Sequence, residues 1–263
     1  MLNKIFPLFL SLCWAFIGFS QELVQSYEIP DGAQWNVNGR GDFIYIHKNQ
    51  VVVNTADNRT LKQSIKSLGE IAQFEVVNSL KYLVFSFEQQ MICFFDNSLS
   101  NMDDCLDLDE MGFIQVTKVA PSSQADKLWL YDEVNSNLVL YAVNVQLQTQ
   151  NVQNLKGMLD INEVSEIVEI GNRLAVVDQS KGIYLFDQYG TFLQFLNLPN
   201  VQHIEGLNNQ ILVLVEGEIS IVKSQLDGSF ELQGLGFNEV QSFRFNGDSV
   251  FIQKKNRIEK YRF

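Results

Sequence analysis

Short apolar runs recur along the chain and are separated by polar segments rich in Asn, Asp, Gly and Ser. Six of them begin at intervals of 39, 46, 46, 37 and 39 residues: Phe43 to Ile46, Tyr82 to Phe85, Leu128 to Tyr131, Leu174 to Val177, Ile211 to Leu214 and Val250 to Ile252. A further apolar run begins eight to ten residues after the start of each. Self-similarity with a period of roughly 40 residues indicates a repeat protein.

One repeat shows the predicted elements clearly. Its four strand-like segments are Val164 to Ile170, Arg173 to Asp178, Gly182 to Asp187 and Thr191 to Leu198. Turn-forming residues separate them, and each connection is short enough to close an antiparallel hairpin. The two middle segments are almost continuously apolar, as expected for strands that are covered on both faces. Each repeat is therefore predicted to be a four-stranded antiparallel sheet.

These features predict an all-β protein, a six-bladed β-propeller with one sheet per blade. Five or seven blades, or a sandwich, are the alternatives. Outer strands are predicted at Leu61 to Leu68, Cys105 to Leu108, Asn151 to Leu155, Phe192 to Leu198 and Phe230 to Leu235. That makes five outer strands for six repeats, because the chain stops at Phe263. We expect Leu23 to Ile29 to complete the last blade and so to remove an open sheet edge.

The first twenty residues differ from the rest of the chain. Lys4 is their one charged residue, and an almost wholly apolar stretch precedes small residues at Gly18 and Ser20. This pattern predicts a cleaved signal peptide over 1–20, followed by a single propeller domain over 21–263 and a periplasmic location. A membrane anchor is disfavoured by the shortness of the stretch and by Pro7, so no direct membrane insertion is expected.

Charge narrows the range of partners. The chain has 19 basic and 31 acidic residues, and removal of 1–20 takes away one lysine, which leaves a formal charge of −13. A surface this acidic repels phosphate backbones and anionic lipid, so nucleic acid is not an expected partner. Cys93 and Cys105 remain after processing, on segments that would form one hairpin, so a disulfide is sterically reasonable in an exported protein. Two buried free thiols are the alternative.

The openings of the innermost strands carry a recurring polar position. It lies nine residues before the first apolar run of a repeat or near that point, and its members are Gln34, Gln73, Gln115, Ser165, Gln202 and Gln241. In a propeller this position faces the central channel. Amides there can satisfy one another and ordered water without burial of charge. A small polar ligand bound in the channel is the functional alternative.

Catalytic signals are weak. Glu75, Glu166, Glu169 and Glu205 lie near the predicted channel without repeated alignment, and His47 and His203 lack zinc-site spacing. No phosphate-binding loop, nucleophile elbow or Cys/His signature is present in the sequence. We therefore expect no cofactor, no metal and no enzymatic activity. A lactonase-type or lyase-type propeller with a cation in its channel is the alternative.

Three aromatic residues are candidates for partner binding: Trp35, Tyr189 and Phe237. Aromatic side chains are enriched at interface hot spots, although each could instead pack between blades.

The mature chain resembles bacterial periplasmic six-bladed propellers with degenerate repeats, most clearly in the blade that contains Arg173 to Leu198. Its processed start at Gln21 and Glu22, its size and its acidity also resemble exported proteins of type 9 secretion bacteria, including the periplasmic plug of the outer-membrane translocon. That resemblance implies a non-catalytic protein-interaction module, with an outer-membrane secretion channel that it seals or supports as the partner.

Overall fold

Six four-stranded antiparallel sheets make up the fold, as the sequence predicts. The structure is a computed structural model that describes residues 22–100, 105–225 and 229–262, so the predicted signal peptide lies outside the described residues. The chain enters through β1 (Glu22–Glu28), which belongs to blade six.

The remaining strands follow in chain order, from the channel outwards within each blade. Blade one contains β2 (Gln34–Val37), β3 (Phe43–His47), β4 (Gln50–Asn54) and β5 (Thr60–Ser64). Blade two contains β6 (Gln73–Asn78), β7 (Lys81–Ser86), β8 (Met91–Asp96) and β9 (Leu106–Asp107). Blade three contains β10 (Val116–Pro121), β11 (Lys127–Asp132), β12 (Asn137–Ala142) and β13 (Leu147–Val152).

Blade four contains β14 (Val164–Ile170), β15 (Arg173–Asp178), β16 (Gly182–Asp187) and β17 (Phe192–Leu196). Blade five contains β18 (Val201–Leu207), β19 (Gln210–Val215), β20 (Glu218–Ser224) and β21 (Phe230–Gly234). Blade six contains β22 (Ser242–Asn246), β23 (Ser249–Lys254), β24 (Arg257–Arg262) and the entering strand β1. A 3-10 turn (Lys66–Leu68) follows blade one, and a short helix, α1 (Leu155–Leu159), follows blade three.

The ring closes where the two ends of the described chain meet. Strand β1 pairs antiparallel with β24, and Leu23 lies opposite Tyr261 in the register. This confirms the predicted closure by the N-terminal strand. Blade six therefore takes strands from both ends of the propeller, which ties the ring together without a free edge at β24.

The core lies between adjacent blades, which explains why the middle strands are apolar at successive positions. In β15, Leu174 and Val176 pack in the cluster shared by blades three and four. The next residues along, Ala175 and Val177, pack in the cluster shared by blades four and five. Because side chains alternate between the faces of a strand, both faces of each blade are buried against a neighbour.

Two predicted outer strands differ from the observed ones by more than two residues at one or both ends, and the other three differ by one or two residues. Blade one ends its outer strand at Ser64 rather than Leu68, and the outer strand of blade three is Leu147–Val152 rather than 151–155. The displaced apolar residues, Leu68 and Leu155, belong to the helical turns that connect to the next blade, and both are almost fully buried. Their apolar character therefore reflects packing of a connector and not a strand.

A glycine is required where blade four turns from β15 into β16. Gly182 has φ 144°, and a Cβ atom there would collide with the backbone carbonyl of Leu196 on the neighbouring strand. Any side chain would therefore separate the strands of this blade.

Candidate functional site

The innermost strands of the six blades surround a central channel. Each innermost strand pairs with the second strand of its own blade, and this register identifies equivalent positions in all six blades. At two of these positions, the six side chains form a ring that faces the channel. The ring at the first aligned position consists of Gln34, Gln73, Lys118, Glu166, His203 and Ser242. The ring two residues further on consists of Asn36, Glu75, Ala120, Val168, Glu205 and Arg244.

Two cavities occupy the channel, one of about 800 Å³ and one of about 470 Å³. Both are within the size range of small-molecule sites. The residues common to both linings are Glu75, Glu166, His203 and Arg244. These four side chains therefore form the boundary at which the cavities meet, and we call them the channel cluster.

His203 is at the centre of the channel cluster. Its Nδ1 lies 2.8 Å from Glu166 Oε1, and its Nε2 contacts Nη1 of Arg244. Since a guanidinium only donates, the arrangement fits a neutral imidazole that donates from Nδ1 and accepts at Nε2. Burial lowers the pKa of His203, while the Glu166 carboxylate opposes that shift. The ring also packs edge-on against Phe243 at a centroid distance of 5.1 Å.

Burial raises the pKa of two carboxyl groups of the channel, those of Glu205 and Glu75. The pKa of Glu205 is raised to about 8 by desolvation, against the opposing effects of Arg244 and of the Phe245 amide. Phe245 N donates to Glu205 Oε2 over 3.0 Å. Desolvation also raises the pKa of Glu75, whose Oε1 accepts from Nε2 of Gln73 over 3.0 Å. At neutral pH the protonated form of Glu205 therefore predominates.

Several channel side chains join adjacent blades. Gln73 of blade two donates to the carbonyl of Val119 over 2.7 Å and accepts from its amide over 3.1 Å. Glu166 of blade four accepts from the Ile204 amide of blade five over 3.1 Å. The Trp35 indole of blade one donates to Ser242 Oγ of blade six over 2.9 Å. Polar residues of the channel wall thus help to set the positions of the blades.

The predicted ring of amides is only partly on the channel wall. Gln34, Gln73, Ser165 and Gln202 line the larger cavity. Gln115 and Gln241 immediately precede β10 and β22, where their backbone amides donate to Asp132 and to the carbonyl of Gln253. Of the charged ring members, Glu75, Glu166, Glu205 and His203 are expected near the channel from the sequence, whereas Lys118 and Arg244 are not.

The three aromatic candidates occupy different environments. Trp35 and Phe237 are 6% and 4% exposed and pack between blades, which was the alternative interpretation for them. Tyr189, by contrast, is 59% exposed in the β16–β17 hairpin. Of the three, Tyr189 is therefore the one that is available to a partner.

Tyr189 belongs to an exposed apolar surface on blade four that the sequence did not reveal. We define the blade-four rim patch by its members Met158, Tyr189, Phe192, Leu193 and Phe195, each at least 40% exposed. Met158 lines a shallow groove with Tyr189, while Phe192 and Phe195 line a second groove. Strand β17 contains no charged residue, so its edge lacks the charges that usually protect an outer strand.

The structure joins Cys93 and Cys105 by a disulfide with a Cα–Cα distance of 4.4 Å. It anchors the two-residue strand β9 to β8.

Within the described ranges there is no group of three or more His, Cys, Asp or Glu side chains placed to hold a metal ion. The described part of the chain also contains no helix long and apolar enough to cross a membrane.

The fold and channel define the class of protein: a six-bladed β-propeller. No protein-family model matches the chain, and no curated protein matches it. Solved structures do resemble it. Virginiamycin B lyase from Staphylococcus aureus has a TM-score of 0.63 at 9% identity, covering 92% of this chain and 99% of that one.

Two other similar structures are a fungal WD40 domain and a bacterial secretion-system component. The Pan2 WD40 domain of Neurospora crassa has a TM-score of 0.58 at 8% identity, covering 92% of this chain and 95% of that one. PorZ of Porphyromonas gingivalis, a component of the type-IX secretion system, has a TM-score of 0.51 at 11% identity. That match covers 88% of this chain and 36% of PorZ. At these identities the similarities establish the fold alone.

Proposed function

We propose that this protein is a non-catalytic, periplasmic interaction module that docks on an outer-membrane protein secretion channel and seals or supports it. The observation that carries the proposal is the blade-four rim patch. Five exposed apolar side chains on one edge of a rigid ring are the kind of surface that partner proteins cover. The flanking strand β17 offers backbone hydrogen-bonding groups along the same edge.

The charge of the chain indicates what kind of partner would fit. The mature protein carries a formal charge of −13, so an apolar contact at the rim would be favoured by basic residues on the partner. We propose that the rim patch binds the periplasmic face of a membrane channel, at a surface that carries apolar and basic residues. The disulfide between Cys93 and Cys105 is consistent with an oxidising compartment such as the periplasm.

Similar structures support the interaction part of the proposal in a general way. A BBS1 fragment in complex with ARL6 is among them, so this fold carries a partner-binding surface in a similar structure. PorZ, a component of the type-IX secretion system, shares the fold, and a link of this protein to that system is part of the proposal. Neither identifies the partner, because a propeller hosts many functions.

Co-purification tests the proposal. The tagged protein should be isolated from detergent-solubilised envelopes of the cells that produce it, as wild type and as the Phe192→Ser/Phe195→Ser variant. We expect a stoichiometric outer-membrane channel protein with the wild type and its loss with the variant, since removal of two aromatic anchors costs roughly 2–4 kcal/mol of binding free energy.

Leu232→Ser provides a matched control. Leu232 lies on the outer strand of blade five and is 40% exposed, the same as Phe195. The control should retain the partner. Absence of any stoichiometric channel protein, or equal recovery with the rim variant, would contradict the proposal.

An enzyme is the second candidate, and the channel cluster favours it. Titratable groups with shifted pKa values that face a cavity are typical of active sites, and His203 and Glu205 meet that description. A lyase also shares the fold. If a hydrolase or lyase activity is detected, Glu75→Gln combined with Glu205→Gln should abolish it. That result would replace the non-catalytic assignment.

A further inference from the structure

The channel wall carries two cations that face its cavity. Lys118 and Arg244 line the larger cavity, yet neither forms an ion pair within the described parts of the chain. Nη1 of Arg244 contacts His203 and donates to the Phe243 carbonyl over 3.0 Å. No described residue accepts a hydrogen bond from its Nη2 or Nε. A planar pair of donors therefore remains available at the point where the cavities meet.

The carboxyl groups of the channel are hydrogen-bonded to the wall, and the charge of Arg244 opposes the rise in the pKa of Glu75 and Glu205. Glu166 accepts from His203 and from the Ile204 amide. Glu205 accepts from the Phe245 amide, and Glu75 accepts from Gln73. Each of these contacts holds a carboxyl group against a strand or a neighbouring side chain.

Asn36 places a further hydrogen-bond donor on the narrower cavity. The Asn36 side chain is 6% exposed and lines the narrower cavity. Its Oδ1 accepts from the Val37 amide over 2.9 Å, but no residue of the described chain accepts from its Nδ2. The Nδ2 group of Asn36 can therefore donate to solvent or to a molecule in the cavity. Arg244, Lys118 and Asn36 all carry donors at the channel wall, so a ligand that fits them is an acceptor.

The rest of the larger cavity suits an organic molecule. Trp35, Phe74 and Phe87 line it together with the polar residues. The Arg244 guanidinium lies 5.9 Å from the Trp35 ring centroid, so the cation is oriented by an aromatic face. A planar carboxylate matches the free edge of a guanidinium through two parallel hydrogen bonds.

We propose that the channel binds a small organic carboxylate, with the carboxylate on Arg244 and Asn36 and with its apolar part against Trp35. Lys118 contributes charge from the opposite side of the ring. This site is separate from the blade-four rim patch, so the channel ligand and the docking partner can be tested independently.

The charged groups that face this site predict how binding varies with pH. They are Glu75 on β6, Lys118 on β10, Glu166 on β14, His203 and Glu205 on β18, and Arg244 on β22. Raising the pH from 6 to 9 ionises Glu205, whose pKa is about 8. A new negative charge beside Arg244 repels an anion, so carboxylate binding weakens as the pH rises. Glu205→Gln should reduce that dependence.

Calorimetric titration of the purified protein tests the proposal with three probes of similar shape: benzoate, neutral benzamide and cationic benzylamine. Acetate and succinate extend the carboxylate series. At pH 6 we expect one benzoate per chain, with a Kd in the millimolar range or tighter, and binding of benzamide and benzylamine weaker by about tenfold or more. Arg244→Gln should weaken benzoate binding by about tenfold or more, whereas Arg40→Gln, in an exposed loop, should not.

Three results would overturn the proposal. One is tighter binding of benzylamine than of benzoate, which would assign the cavity to cations. Another is no binding of any carboxylate probe up to roughly 10 mM. The third is unchanged benzoate affinity in folded Arg244→Gln. If that variant fails to fold, the comparison of wild type with Glu205→Gln at pH 6 and pH 9 decides, because benzoate affinity that does not fall with pH in the wild type contradicts the site.

Discussion

The Tyr27 ring stacks on the Phe43 ring at a centroid distance of 4.4 Å and an interplanar angle of 19°. Tyr27 lies on β1, the outer strand of blade six, and Phe43 lies on the second strand of blade one. The pair therefore joins β1, which closes the ring, to blade one, while hydrogen bonds to β24 hold β1 in the sheet of blade six. Closure of the ring thus depends on side-chain packing in addition to the β1–β24 hydrogen bonds.

Tyr27→Ala should destabilise the closed ring. Loss of the stacked ring and of its buried area is expected to lower the free energy of unfolding by about 2 kcal/mol. Urea denaturation followed by circular dichroism measures the change. Val24→Ala on the same strand is the control, and since Val24 is 43% exposed it should change stability by less than about 0.5 kcal/mol. Equal effects of the two substitutions would show that β1 does not pack as described.

The Cys93–Cys105 bridge should contribute measurably to stability, because it restricts the unfolded chain and holds the short strand β9 in blade two. Cys93→Ala/Cys105→Ala is expected to cost about 2–4 kcal/mol, equivalent to a Tm lower by roughly 5–10 °C for a domain of this size. Reducing agent should lower the Tm of the wild type by a similar amount and leave the double variant unchanged. A wild type insensitive to complete reduction would contradict this.

Glu205 should make stability depend on pH. Its pKa is raised to about 8 in the folded protein from an ordinary value of 4.5, so the folded state binds a proton that the unfolded state has released. The stabilisation from this bound proton is complete below pH 4.5 and is lost as the pH rises towards 8. Over that range the free energy of unfolding falls by at most about 1.4 kcal/mol per pH unit.

Unfolding free energies of wild type and Glu205→Gln, compared between pH 6 and pH 9, measure this effect. The wild type should lose stability relative to the variant up to pH 8 and then run parallel to it. The lowered pKa of His203 reduces stability only as the pH falls below the ordinary histidine value of 6.5. Changes in unfolding free energy above that pH therefore report on Glu205. A constant difference across the range would disprove the shift.

The blades could be predicted from the sequence because their middle strands are covered on both faces, which produces unmistakable apolar runs such as Leu174 to Val177. The channel could be predicted only approximately. A spacing of nine residues identifies Gln73 correctly, but in blades four and five a β-bulge follows the first residue of the inner strand. The bulge moves the aligned position from Ser165 to Glu166 and from Gln202 to His203.

The channel positions of Glu166 and His203 were therefore hidden by one-residue bulges, which are an outcome of backbone geometry and leave no sign in composition. The rim patch was missed for a different reason. Phe192 and Phe195 look like core residues in the sequence, and their exposure depends on how far α1 and the neighbouring blade extend over β17.

Photo-crosslinking in the producing cells tests the docking proposal most directly. A photoreactive amino acid at position 195 of the blade-four rim should crosslink to an outer-membrane channel protein, and the same group at position 232 of blade five, which is equally exposed, should not. We predict one strong, position-specific adduct that contains the channel protein. Equal labelling from both positions, or no adduct with an outer-membrane protein from position 195, would contradict the proposed function.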